Sequence, residues 1–338
     1  MCNHHVCHIV PPHILEGLAR RGNVNCKKTL NDSFRILHKR NTLLNNQLIK
    51  EFKEGNGDRY IYDSHGKFRQ RYTLRRKEGE GVYVDHLVNE AYDTSGFVRD
   101  YFRSTFDLNS VNGKGLDLIS NIHYGINYNN AFWDGDEMTY GDGDNVEFKN
   151  FAGAIDVVAH ELMHGITQFT ANLEYKGQSG ALNEHFSDVF GTIIKQAYLK
   201  QNLDEADWFI GDTVVTDDFP GDAIRSMKAP GTANEFDIQP AHMNDYYSGD
   251  ADNQGVHINS GIPNKAFYLC CMEIGINDCA LIWFETLKML WRTANFEDML
   301  TLSLQIASQL SEEKKVCDTA YEAVGQSFAA VGIKQILI

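Results

Sequence analysis

No apolar run in this 338-residue chain approaches the roughly 20 residues needed to cross a bilayer, so no membrane insertion is expected. Positive charge is also in short supply. Lys and Arg number 31 against 46 Asp and Glu, a formal net charge of −15. A surface of that sign repels phosphate backbones and anionic headgroups, which argues against nucleic acid or a membrane surface as the main partner. Most of the carboxylates read as a solubilising surface. The seven cysteines have neither zinc-ribbon nor disulfide-framework spacing. Cys270 and Cys271 are adjacent in an apolar, helix-compatible stretch, so buried thiols are expected. The opening MCNHHVCHIVPP carries no basic region followed by an apolar one, and so offers no signal for classical export. Internal repeats and low-complexity linkers are absent.

What remains is an ordinary soluble composition, 43% hydrophobic and 23% charged. The length favours two lobes, a cleft between them and an attached segment. Residues 1–50 read as that appendage, with Pro11-Pro12, Arg20-Arg21 and a helix-compatible stretch through Leu43, Leu44 and Leu48. RYIYD and RQRYTLRR alternate in the manner of hairpin strands, and HLVNEAYDTSGFVRDYF has helical periodicity. The aromatic, Asn-, Asp- and Gly-rich stretch from 125 to 145 predicts strands joined by turns, a plausible cleft wall. After Phe151 helical patterns dominate. The expected class is α+β, with a mixed β/α lobe over 51–170 and a mainly helical lobe over 171–338.

His160-Glu161-Leu162-Met163-His164 is an HExxH pattern. Residues four apart on a helix differ by only about 40° in azimuth, so both imidazoles project from one face and can grip one ion. By itself the pattern is also compatible with two surface histidines. A catalytic zinc needs a third protein ligand and an open position. Ala181-Leu182-Asn183-Glu184-His185-Phe186-Ser187-Asp188 supplies a candidate: Glu184 and Asp188 share a helix face, one for the metal and one to brace a ligand imidazole. His185 points about 100° away from Glu184 and is read as a non-ligand.

HELMH, followed twenty residues later by the Glu of NEHFSD, resembles the thermolysin family of metallopeptidases, the standard example of a zinc site with two His and one Glu. The likeness continues through NNAFWDGDEMTYGDGD, YKGQSGALNEHFSDVFGT, GDAIRSM and DNQGVHINSGIPNKAFY, over about 85 to 333, and fades between 195 and 220. It implies a two-lobed zinc endopeptidase acting on peptides and proteins as a monomer. His160, His164 and Glu184 would hold one Zn²⁺, Glu161 would be the general base, and Asn183 and Asp188 would stand behind the ligands. His257 and Tyr175 match the family's oxyanion donors, and Asp252 the carboxylate that orients His257. Asn130, Ala131 and Trp133 match the substrate-backbone segment, and Arg225 the arginine that meets the carbonyl beyond the scissile bond. Phe148, Phe151, Val157 and Ile224 match the main specificity pocket, implying a bulky apolar residue just after that bond.

Two features depart from the archetype. Asp156, Asp207 and Asp212 match calcium ligands, but Lys195 and Phe209 replace two others, so one calcium or none is expected in place of two. The segment Cys7-His8-Ile9-Val10-Pro11-Pro12-His13-Ile14-Leu15 is similar to the Pro-Pro motif of the short-propeptide, protealysin-like branch. This implies a propeptide over residues 1–50 that blocks the cleft as a stiff, extended inhibitor and is removed by the protease itself. Whether the Cys7 thiolate reaches the metal stays open. The resemblance suggests secretion, whereas the missing export signal suggests the cytoplasm. The competing functional reading is a non-catalytic zinc or partner-binding protein on a protease-derived scaffold.

Overall fold

The alternating segments fold as the sequence predicts, and their pairing is carried by a mixed sheet. The computed structural model describes residues 7–44 and 54–334, with the backbone alone at 34, 35 and 37–44. Residues 45–53, which contain the end of the expected propeptide, lie outside the described residues. Two compact units emerge: Met1–Phe169 with Gly211–Ala223, and Thr170–Ile210 with Ile224–Ile338.

The first unit runs β1 (Cys7–His8), α1 (Pro12–Arg20), α2 (Val24–Leu44), β2 (Arg59–Asp63), β3 (Thr73–Lys77), α3 (His86–Phe106), β4 (Leu118–Ile122), β5 (Ala131–Trp133), β6 (Met138–Tyr140) and α4 (Ile155–Phe169). Its sheet has the order β1-β5-β6-β4-β2-β3. β4 runs parallel to both β2 and β6, and the other pairs are antiparallel. Helix α3 starts where Asp85 accepts the Leu87 N–H at 3.0 Å. Helix α4 is buried on every side from Ile155 to Thr167. Four ionisable side chains inside such a helix, Asp156, His160, Glu161 and His164, require partners.

The appendage is not extended throughout. Among its described residues, only Cys7–Val10 runs as a strand-like segment, after which Pro12 opens α1. Proline suits a first helical turn because that position has no intrahelical use for an N–H. Ile9, Val10, Ile14, Leu15 and Leu18 are all buried. Gly211–Ala223 also packs with this unit, although it falls within the expected second lobe. Backbone pairing explains this: Phe148 bridges Val215, Lys149 N donates to Val214 O at 2.7 Å, and Thr216 N donates to Glu147 O at 3.1 Å.

The second unit contains α5 (Gly177–Leu199), the two-residue strands β7 (Phe209–Ile210) and β8 (Arg225–Ser226), α6 (Ala251–Asn259), α7 (Gly261–Ile274), α8 (Ile276–Met289), α9 (Phe296–Glu312) and α10 (Ala320–Ala330). Its core includes Phe186, Phe190, Phe267, Trp283 and Phe284. Gly180 lets α6 approach α5 closely, since a Cβ there would lie 2.4 Å from Val256 Cγ1. That approach sets the position of His257, the residue after Val256. Within α6, Asp252, Asn253, Gln254 and Gly255 all have left-handed backbones, with φ of 54°, 50°, 66° and 78°. Cys270 and Cys271 are buried thiols, as expected from their apolar stretch, and Cys7, Cys26 and Cys279 are buried as well.

Candidate active site

In the first unit the two HExxH imidazoles meet as the helical spacing predicts. His160 Nε2 and His164 Nε2 lie 3.0 Å apart, both rings buried. Two imidazole nitrogens turned toward one point on a wholly buried helix fit a divalent cation such as zinc. Glu161, buried beside them, accepts the Trp133 backbone N–H at 2.7 Å on Oε2. The Trp133 indole lies against Gly165, where a Cβ would stand 3.1 Å from the ring. Strand β5 and helix α4 are thereby locked together, and the carboxylate acquires a fixed direction.

The groups expected to hold the substrate backbone are engaged by the appendage. β1 pairs antiparallel with β5, Cys7 opposite Trp133 and His8 opposite Phe132. Ile9 N donates to Ala131 O at 3.2 Å. The Asn130 side chain grips Val10 from both sides, its Oδ1 accepting the Val10 N–H at 2.9 Å and its Nδ2 donating to Val10 O at 3.1 Å. Further along, Thr29 Oγ1 accepts the Asn129 N–H, and Ser33 and Tyr128 hydroxyls meet at 3.2 Å. Asn23 caps α2 through the Asn25 and Cys26 N–H groups and donates to Asp144 at 2.9 Å. Phe148 and Phe151 are buried in ring contact, with Val157 buried on α4. Phe219, which the sequence argument did not single out, packs on Phe148 at 5.3 Å.

The second unit gathers the remaining candidates around Glu184 on α5. Tyr175 Oη donates to Glu184 Oε1 and lies 3.1 Å from His257 Nε2. His257 Nε2 is 3.5 Å from Glu184 Oε1. Asp252 holds His257 twice, accepting from its backbone N–H at 2.8 Å and from Nδ1 at 2.6 Å. Burial by itself would depress the His257 pKa, but the negative charges of Asp252 and Glu184 outweigh it and push the imidazole up to about 9. Asp188 pairs with Arg225, which donates from Nη2 to Oδ1 at 2.8 Å and from Nε to Oδ2 at 3.0 Å. Asn183 and Ile224 are buried nearby in sequence to these groups.

His185 bonds away from the Glu184 side, as its azimuth predicts. Its Nδ1 meets Asn264 Oδ1 at 2.7 Å and its Nε2 accepts from Trp283 at 2.8 Å. Neither Asn264 nor Trp283 was singled out from the sequence. The available signal was an amide inside the apolar run GIPNKAFYL, where an uncharged polar group implies a buried partner. At the expected calcium positions, Lys195 Nζ donates to Asp207 at 3.0 and 3.1 Å and to Phe209 O at 3.2 Å. Asp156 accepts the Gly211 N–H at 2.8 Å.

Family models described as "Thermolysin metallopeptidase, catalytic domain" and "Thermolysin metallopeptidase, alpha-helical domain" match residues 27–168 and 171–333. A protein named "Extracellular metalloprotease" from Pectobacterium carotovorum subsp. carotovorum is 39% identical, the alignment covering 97% of each chain. A "Thermolysin" of Alicyclobacillus acidocaldarius subsp. acidocaldarius is 39% identical over 71% of this chain and 45% of its own length. Among solved structures, the "Precursor of Protealysin, Metalloproteinase from Serratia proteamaculans" superposes with a TM-score of 0.85 at 37% identity, covering 97% of this chain and 100% of that one. The chain belongs to the thermolysin family of metallopeptidases, in its protealysin-like branch.

Proposed function

We propose that the chain is a zinc endopeptidase made as an autoprocessed zymogen, with His160, His164 and Glu184 as ligands. The observation that carries the reading is the convergence of the two buried Nε2 atoms at 3.0 Å on α4. When bound, the ion supplies a Lewis acid that acidifies water and polarises the scissile carbonyl. Glu161, aimed by the Trp133 N–H, takes the proton from the attacking water and passes it to the leaving amine. Tyr175 and a protonated His257, held by Asp252, supply hydrogen bonds to the oxyanion. Arg225, seated on Asp188, meets the substrate carbonyl beyond the scissile bond. The buried aromatic set at Phe148 and Phe151, with Val157 and Ile224, favours a bulky apolar residue just after that bond.

Residues 1 to about 50 act as the inhibitor. Support comes from β1, which adds a strand to β5, and from Asn130, whose amide grips the Val10 backbone as it would a substrate's. The Lys195 ammonium seated on Asp207 supports one calcium or none. Action outside the cytosol is the reading favoured by the name of the Pectobacterium relative.

Casein hydrolysis by the processed protein should vanish with a zinc chelator and return with zinc. Glu161→Gln should keep zinc, lose activity by several orders of magnitude and stay full length until active enzyme is added. Glu184→Ala should lower zinc content by atomic absorption. Parental activity in Glu161→Gln, or full zinc retention in Glu184→Ala, would overturn these roles.

A further inference from the structure

Behind Arg225 and Asp188 lies a buried polar chain whose other members have no role assigned above. Trp283, His185, Asn264, Asp188 and Arg225 are joined end to end, all buried within the second unit. The Trp283 indole can only donate, so His185 Nε2, 2.8 Å away, must accept and the imidazole proton must sit on Nδ1. Nδ1–H then donates to Asn264 Oδ1 at 2.7 Å, which turns the amide nitrogen toward Asp188 Oδ2 at 2.9 Å. At the far end Arg225 can likewise only donate, and it takes both Asp188 oxygens. Every bond direction is therefore fixed by the two ends. A flipped Asn264 amide would set oxygen against oxygen at Asp188 and nitrogen against the imidazole proton.

The parts come from α5, β8, α7 and α8, so only tertiary packing assembles them. A guanidinium on a long stem has many rotamers, and a bidentate seat selects one. That seat is well aimed only if the carboxylate itself cannot turn, and the Asn264 amide pins one of its oxygens.

We propose that His185 and Asn264, with Trp283 behind them, are positioning residues that aim Arg225 at the substrate through Asp188. This rests on the reading of Arg225 as a substrate-binding group. Trp283→Phe tests it by removing the indole N–H, together with part of a buried ring, while touching neither Asp188 nor Arg225. In the processed enzyme, assayed on a capped peptide, KM should rise about threefold to tenfold, the worth of one well-made hydrogen bond, with kcat within about twofold. Zinc content should equal the parent's. Arg225→Lys should raise KM further, and adding Trp283→Phe to it should change nothing more, because both act through one contact. Asn264→Ser should reproduce the pattern and serves if Trp283→Phe does not fold. A parental KM in both Trp283→Phe and Asn264→Ser, or effects that multiply fully with Arg225→Lys, overturns the proposal. A parental KM in Arg225→Lys instead sinks the underlying role of Arg225, and the relay proposal with it.

Discussion

Ile9 offers the sharpest test of latency because its side chain and its backbone do separate things. The backbone N–H pairs with Ala131 O at 3.2 Å, while the side chain is wholly buried, 0% exposed. Ile9→Ala keeps the strand pairing and the Asn130 grip on Val10, and deletes only apolar contact. Such a truncation costs about 2–4 kcal/mol where the site cannot collapse. At about 1.4 kcal/mol per factor of ten, the undocked fraction should rise roughly 30-fold to several hundred-fold. Cleavage by a second molecule follows that fraction while redocking outpaces cleavage. The assay is therefore the initial rate of shortening, by gel, of Glu161→Gln protein given a trace of processed parent. Glu161→Gln with Ile9→Ala should shorten faster by at least an order of magnitude. Val24→Ala, at a position 64% exposed, should match the Glu161→Gln control. If Ile9→Ala shortens at the control rate, the buried segment does not govern access to the processing bond, and the inhibitor reading fails.

Gln254 has φ +66°, a left-handed conformation that costs a side-chain-bearing residue about 1–2 kcal/mol, partly offset by the unfolded-state entropy of glycine. Gln254→Gly should thus raise the melting temperature by about 1–3 °C, and a fall would contradict the assigned strain. His123 lies between Asp142, 2.8 Å from Nδ1, and Asp85, 2.9 Å from Nε2; the Asp142 hydrogen bond, against burial and aided by Asp85, pushes its pKa up to about 9. Its contribution, about 1–2 kcal/mol after discounting for partial exposure, is full below about pH 6.5 and lost as pH rises toward 9. The urea midpoints of parent and His123→Gln should accordingly differ at pH 6 and converge at pH 9.5, and a constant gap would refute the pairing. Lys195→Glu should leave carboxylates facing each other, lowering the melting temperature in chelated buffer and restoring it with millimolar calcium, while the parent responds little. Two tight calcium sites in the parent near Asp207 would show that the ammonium does not replace an ion.

Local sequence determined whatever depends on helical or strand periodicity. The i, i+4 spacing put both imidazoles on one side of α4, and the single-residue step carried His185 away from Glu184 to Asn264 and Trp283. RYIYD and the apolar helices after Phe151 were legible for the same reason, since a fixed angle per residue sorts side chains into faces. The site candidates around them came from ordered motifs shared with a known family.

Pairings between distant segments carried no such local signature. Cys7–Val10 gives no sign of the strand it joins, because the Asn130 amide that holds it is 120 residues away. Pro12 suits an extended chain or the first turn of a helix equally well, and burial of Ile14, Leu15 and Leu18 decided for α1. Gly211–Ala223 joined the first unit through backbone bonds that any sequence can make. The Trp283-to-Arg225 chain also required tertiary structure: hydrogen-bond direction is fixed only when donors and acceptors from four separate elements are packed where water cannot substitute for any of them.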